Sequence, residues 1–298
     1  MLHVVATHGR DNPFGNELVM EDEFKKAFQF GLKSAGAAYY DQVPFSFGFY
    51  GDLWRPDRRK EWEARKGTRA FRSAAAEADL IGVSIAEDIL RNAGLLEKIA
   101  LAPGNRGFWS GLTQLLATLD RFAPGIAGAA LLQSLAADTG EYLSNETLRG
   151  LTIDRVRGKV EAAKGEVLLL AHSMGTIVCY DMLMRYPELP VRAYISFGSP
   201  LGMRAIISTV GGRRSAPFPP KLPRWINVYN QEDLVASVRL LAPLYKSEDG
   251  RQVEDLDTGR MRSPTITNLM KGHNPADYLS SLALANAARS VLEVGNNG

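Results

Sequence analysis

The chain has 298 residues, of which 45% are apolar and 23% charged, and its formal charge is +2. That balance is ordinary for a globular enzyme and excludes a strongly basic surface, so nucleic acid is not expected as a partner. One cysteine, Cys179, excludes an intrachain disulfide and a cysteine-rich metal site, and nothing in the composition specifies an oligomeric state.

The opening stretch Met1-Leu-His-Val-Val-Ala-Thr-His-Gly9 has no basic segment followed by a long apolar run and no cleavage pattern. A cytoplasmic protein without a secretory leader is therefore expected. Val4 to Thr7 read as a short strand ending at His8-Gly9, followed by turn formers from Arg10 to Asn16. Glu21 to Ala35 is amphipathic, with Phe24, Ala27, Phe28 and Leu32 on one face, and predicts a helix. Pro44 to Tyr50 alternates and is aromatic, which predicts a strand, and 51–54 leave the sheet.

From Arg55 to Gly150 the pattern changes. Arg55 to Arg72 mixes charges of both signs and reads as a solvated surface. Ser73 to Leu101 is alanine-rich and helical, and Phe108 to Leu119 predicts another helix. Phe122 to Ala137 carries no charge and is too short to span a bilayer. It reads either as the core helix of a cap or as a lid surface in interfacial contact with lipid. No run elsewhere reaches membrane-spanning length. A strand-free segment of this length between sheet strands predicts a helical cap over 55–150, inserted into a core made of 1–54 and 151–298.

Ile153 to Ala163 predicts a helix leading into Val167-Leu-Leu-Leu170, four apolar residues in a row that suit a strand buried on both faces. The strand stops at Ala171-His-Ser-Met-Gly175. Thr176 to Tyr186 then suits a buried helix, stopped by Pro187. Strand, tight turn and helix in this order are the setting of a nucleophile elbow. Such a turn strains the backbone of its central residue and needs small neighbours, which Ala171 and Gly175 supply. Ser173 would sit at a helix N-terminus, where amides and the helix dipole favour developing negative charge. An ordinary helix N-cap is the competing reading. Further strands are expected at Arg192–Phe197, Trp225–Tyr229 and Gln252–Leu256, and a terminal helix at Pro275–Leu292. The Gly- and Pro-rich Gly211–Arg224 predicts a mobile loop at the mouth of the site.

On the strand, the Ala-His-Ser-Met-Gly turn and the following helix, the chain resembles the α/β-hydrolase family, in particular its serine esterases and lipases. Ala171 stands where the family more often has Gly. The resemblance implies a mostly parallel α/β sheet of about six strands flanked by helices, with the family's first two strands missing. It also implies that His8-Gly9 is the family's His-Gly loop, so that the backbone amides of Met174 and of Gly9 or Arg10 form an oxyanion hole.

Acyl transfer by serine needs a base, and at neutral pH histidine is the usual one. Of four histidines, His3 starts the first strand, at the wrong end of the sheet. His172 adjoins the nucleophile and should pack behind the elbow, and the resemblance makes His8 loop scaffold. His273, in a loop after the last strand, remains. The family order of Ser, acid, His puts the acid after a strand between Ser173 and His273. Asp233, beyond Tyr229, is the expected acid and Glu232 its competitor. The expected activity is hydrolysis of small-molecule or lipid carboxylic esters, with no metal or organic cofactor called for. Thioester or amide cleavage, and an inactive binding module on the same fold, are the alternatives.

Overall fold

Apolar and β-branched runs bounded by turn formers become strands, and the amphipathic stretches between them become the covering helices. The computed structural model describes residues 2–9, 15–55, 68–92, 129–211, 215–259 and 272–294. In chain order the first elements are β1 (His3–Thr7), α1 (Glu17–Ser34), β2 (Phe45–Gly48), α2 (Thr68–Asn92), α3 (Ala129–Ser144) and α4 (Glu146–Ala162). There follow β3 (Val167–His172), α5 (Met174–Arg185), β4 (Val191–Phe197), α6 (Arg204–Val210) and β5 (Ala216–Pro217). The chain continues through β6 (Trp225–Tyr229), β7 (Tyr245–Lys246), β8 (Val253–Asp257), α7 (Pro275–Leu279) and α8 (Leu282–Val294).

Six strands form one sheet in the order β2-β1-β3-β4-β6-β8, and every pairing is parallel. The fold is thus α/β, with a six-stranded parallel sheet flanked by helices, as an α/β-hydrolase-like architecture requires. β5 and β7 make a separate two-residue parallel pair. Because β1 lies between β2 and β3, the strand order reverses there, and the crevice beyond the strand ends at such a point is where α/β sheets place ligands.

Alternation along the strands sorts the core into two layers. Val4 and Ala6 of β1 and Leu168 and Leu170 of β3 face α1 and α8, against Phe28, Leu32 and Leu284. Val5, Leu169 and Ala171 face the other way, against Val156 of α4 and Ile177 of α5. All six residues of β3 are buried, which is why its first five, Val167 to Ala171, are an unbroken apolar run. Each of its leucines contributes about 1.5–3 kcal/mol by leaving water.

Helix ends follow local chemistry. Asn16 caps α1, its side chain accepting from the Leu18 N–H at 2.9 Å, so the helix starts before Glu21 although Leu18 and Val19 are exposed. The expected terminal helix is two helices, because Ser281 accepts from the Leu284 N–H and restarts the chain as α8.

Between β2 and β3 the described residues form a short 3-10 turn at Gly51–Trp54 and then helices. The helix expected at Phe108–Leu119, 56–67 of the charged stretch, 93–101 of the expected alanine-rich helix and 122–128 of the uncharged stretch lie outside the described residues. α2 and α3 pack closely: a Cβ on Gly140 would stand 2.3 Å from the Ala78 carbonyl oxygen. Ile85, Ile89 and Tyr142 belong to the same apolar layer as β3 and α5. The described helices α2 and α3 therefore share the core of the sheet. Two contacts tie α2 to the rest: Asp88 Oδ2 accepts from the Ala205 N–H at the start of α6 at 3.2 Å, and Asn92 Nδ2 donates to Ser237 Oγ at 3.0 Å.

Of the segment expected as a mobile loop at the site mouth, the described residues 215–224 are placed otherwise. Phe218 and Leu222 are buried in the core layer that holds Trp225, and Tyr180 donates to the Pro217 carbonyl. The segment leads into the N-terminal end of β6, the end of the sheet away from Ser173. Its Gly and Pro content marks a turn-rich path, and the two large apolar side chains within it decide where that path packs. Among the described residues no helix is long and apolar enough to cross a membrane.

Candidate active site

The C-terminal ends of β1, β3 and β6 bring the candidate residues together. β3 ends at His172, and Ser173 follows with φ 53° and ψ −130°, the non-glycine residue with positive φ among those described. Holding a serine there costs about 1–3 kcal/mol, and the surroundings fix it. The Ser173 N–H donates to the Phe197 carbonyl, and its own carbonyl accepts from the Thr176 N–H and the Thr176 hydroxyl. The Thr176 hydroxyl also lies 2.9 Å from Ser199 Oγ. These bonds make the turn a single rigid unit at the head of α5.

Two glycines are required by close approach. A Cβ on Gly175 would stand 2.3 Å from the His8 carbonyl oxygen, and one on Gly9 would stand 2.5 Å from Ser173 Cβ. The β1 loop and the elbow are thus pressed together with no room for side chains. The amides of Met174 and Gly175 open α5 and have no intrahelical acceptor. Gly9, whose backbone amide is the other expected donor, lies against the same turn. Arg10 lies outside the described residues.

His273 Nε2 lies 2.9 Å from Ser173 Oγ, and His273 Nδ1 lies 2.8 Å from Asp233 Oδ2. A carboxylate only accepts, so Nδ1 carries the proton of the neutral ring and Nε2 is left to accept from the serine hydroxyl. All three side chains are buried, Ser173 at 3%, His273 at 5% and Asp233 at 1% exposure, where low dielectric strengthens such bonds. Asp233 Oδ1 accepts from the N–H groups of Val235 and Ala236 at 2.9 and 3.2 Å. The acid loop therefore wraps its own carboxylate. Glu232 is exposed, and its backbone N–H donates to Asn230 Oδ1.

The other histidines have different settings. His3 Nε2 meets Ser46 Oγ at 2.8 Å, at the opposite end of the sheet. His8 is buried and stacked on Tyr50, with ring centroids 4.2 Å apart. Its Nε2 accepts from the Tyr50 N–H and its Nδ1 faces the Gly9 carbonyl, so both nitrogens are used by a neutral ring. Burial pushes its pKa down to about 4, against a smaller upward pull from the Gly9 carbonyl. His8 is thus neutral scaffold for the Gly9 loop. The His172 ring lies 4.6 Å from that of His273 and is buried behind the elbow. Burial, and then the neighbouring His273, hold its pKa well below the ordinary histidine value.

Sequence reasoning passed over Tyr278, whose hydroxyl donates to Asp233 Oδ2 at 2.7 Å. It also passed over Thr176 and Ser199, which brace the elbow. Their roles arise from tertiary contacts that no spacing announces. Cys179 is buried, and burial raises its thiol pKa, so it is an inert part of the core. Among the described residues no group of three or more His, Cys, Asp or Glu is placed to hold a metal ion.

Chemically, the arrangement offers a hydroxyl beside a hydrogen-bonded imidazole, a carboxylate behind that imidazole, and the N-terminus of a helix at the hydroxyl. A scan against protein-family models finds no match to this chain, and a search of the curated proteins finds none either.

Proposed function

We propose that the chain is a serine hydrolase that cleaves carboxylic esters through an acyl-serine intermediate, with Ser173 as nucleophile, His273 as base and Asp233 as the acid that orients it. The observation that carries this reading is the continuous run Asp233 Oδ2, His273, Ser173 Oγ at 2.8 and 2.9 Å on a strained turn at a helix N-terminus.

In this reading Ser173 Oγ attacks the ester carbonyl carbon while its proton passes to His273 Nε2. The carbonyl π pair moves onto oxygen, and the oxyanion is met by the amides of Met174 and Gly9. Collapse expels the alcohol, whose oxygen takes the proton from Nε2, and leaves the acyl group on Ser173. Water then repeats the sequence, giving its proton to His273 and releasing the acid. Asp233 stays ionised throughout and stabilises the imidazolium. Thioesters and amides would be handled by the same groups, so p-nitrophenyl esters of graded chain length, with an acyl thioester beside them, define the substrate class.

Fluorophosphonate labelling is the direct test. Peptide mass spectrometry is expected to find the adduct on the peptide containing Ser173, and Ser173→Ala to abolish it. Undiminished labelling of Ser173→Ala would overturn the assignment.

The acid is tested separately. Asp233→Asn is expected to lower kcat by about a hundredfold or more, because the neutral amide no longer fixes the imidazole tautomer. Glu232→Gln, on an exposed side chain, is expected to stay near wild type. A crippled Glu232→Gln beside an active Asp233→Asn would move the acid by one residue.

A further inference from the structure

A fourth side chain reaches the Asp–His pair. Tyr278 of α7 is fully buried, and its hydroxyl lies 2.7 Å from Asp233 Oδ2. That is the same oxygen that faces His273 Nδ1. The Asn230 N–H donates to the Tyr278 oxygen at 3.1 Å, which leaves the phenol proton to point at the carboxylate. Asp233 thus accepts two backbone bonds at Oδ1 and shares Oδ2 between an imidazole and a phenol.

We propose that Tyr278 is a positioning residue: by donating to the oxygen that holds His273, it fixes the carboxylate plane and limits how strongly Asp233 raises the basicity of the imidazole. The inference rests on the reading that Ser173, His273 and Asp233 act together. An oxygen that gives part of its charge to one donor has less to offer a second. The phenol is suited to the task because burial, and then the Asp233 charge, raise its pKa far above the usual tyrosine value. It remains a neutral donor while the imidazole titrates.

Other groups face this pair. The His172 ring lies 4.6 Å from His273, tilted against it, at the end of β3, and Ser173 lies on the other nitrogen of His273. Asp257, at the end of β8, acts on Tyr278 through space and is bonded to Gln231. Glu232 and Asp277 are exposed. None of them donates to Asp233 Oδ2, so removing the phenol hydroxyl leaves that oxygen to His273.

Two substitutions at one position give opposite results if this is right. Tyr278→Phe keeps the ring and deletes the donor. The His273 titration midpoint, read by NMR of the labelled ring, is expected to rise by about half a pH unit or more. The acid limb of the kcat/KM profile is expected to rise with it, and kcat to fall about tenfold with KM within about twofold. Site-specific replacement of Tyr278 by 3-fluorotyrosine keeps every contact and strengthens the donor, so the midpoint should fall below wild type. This second protein retains the full side chain and serves even where Tyr278→Phe does not fold. Midpoints that stay at the wild-type value, or move the same way in both proteins, would overturn the proposal and leave Tyr278 as packing. Failure of the hydrolase reading shows elsewhere, as absent labelling of Ser173, while the His273 midpoint still reports the effect of Tyr278.

Discussion

Ser173→Ala, His273→Ala and the double variant are expected to lose nearly the same activity, each falling on the order of a millionfold in kcat. The reason is geometric. In the proposed mechanism the proton passes from Ser173 Oγ to His273 Nε2 across one hydrogen bond of 2.9 Å, so removal of either end would abolish the same step. What survives is the contribution of binding and of the amides beside Gly9 and Met174, about a thousandfold or more over water. Steady-state hydrolysis of a p-nitrophenyl ester, backed by single-turnover measurements, checks this. Losses that multiply in the double variant would show that His273 does not act on Ser173, and another base would have to be sought.

Asp181→Ala is expected to lower stability by about 3–5 kcal/mol. Asp181 sits in α5 and is buried. It accepts from Arg149 Nε and Nη2 at 2.7 and 2.6 Å and from the Tyr142 hydroxyl at 2.7 Å. One carboxylate therefore joins α3, α4 and the elbow helix. Burial disfavours the charge of Arg149, but the bonds to Asp181 outweigh it and raise its pKa. Truncating Asp181 strands that guanidinium, 16% exposed, without its anion. Replacing both partners by apolar residues, Asp181→Ala with Arg149→Met, should recover more than half of the loss, because no buried charge is left unpaired. Urea unfolding of the three variants measures it. A loss below about 1 kcal/mol for Asp181→Ala would mean that the pair behaves as a hydrated surface bridge.

The sheet and the elbow were legible because their signals are local. An apolar run as uniform as Val167–Leu170 suits little except a strand covered on both faces, and the small residues around Ser173 mark a turn that a larger side chain would block. The residues now found beside Ser173 were singled out by chain order after a strand, a rule that needs no contact information. Where packing decides, the sequence was silent. Tyr278 lies five positions after His273, and nothing in that interval says that a short helix turns its ring back onto Asp233. Asp181 looks like a polar interruption of an apolar helix until Arg149 and Tyr142 are seen around it. In Gly211–Arg224 the turn formers dominated the reading, yet Phe218 and Leu222 set the position. The start of α1 was hidden for the opposite reason: Asn16 caps a helix whose first apolar residues face water.

The strand order also bears on how the protein is made. β1 is an interior strand next to the β2 edge, with Val4 paired to Phe45 on one side and His3 to Val167 on the other. A ribosome delivers β1 and β2 first, but β3 emerges only after the long stretch 49–166, roughly ten seconds later at ordinary elongation rates. During that interval β1 presents an open edge and two apolar faces, the features by which nascent chains associate with one another. Expression at lower temperature, or with more abundant holdase chaperones, should therefore raise the soluble yield, because the step being protected is the wait for β3.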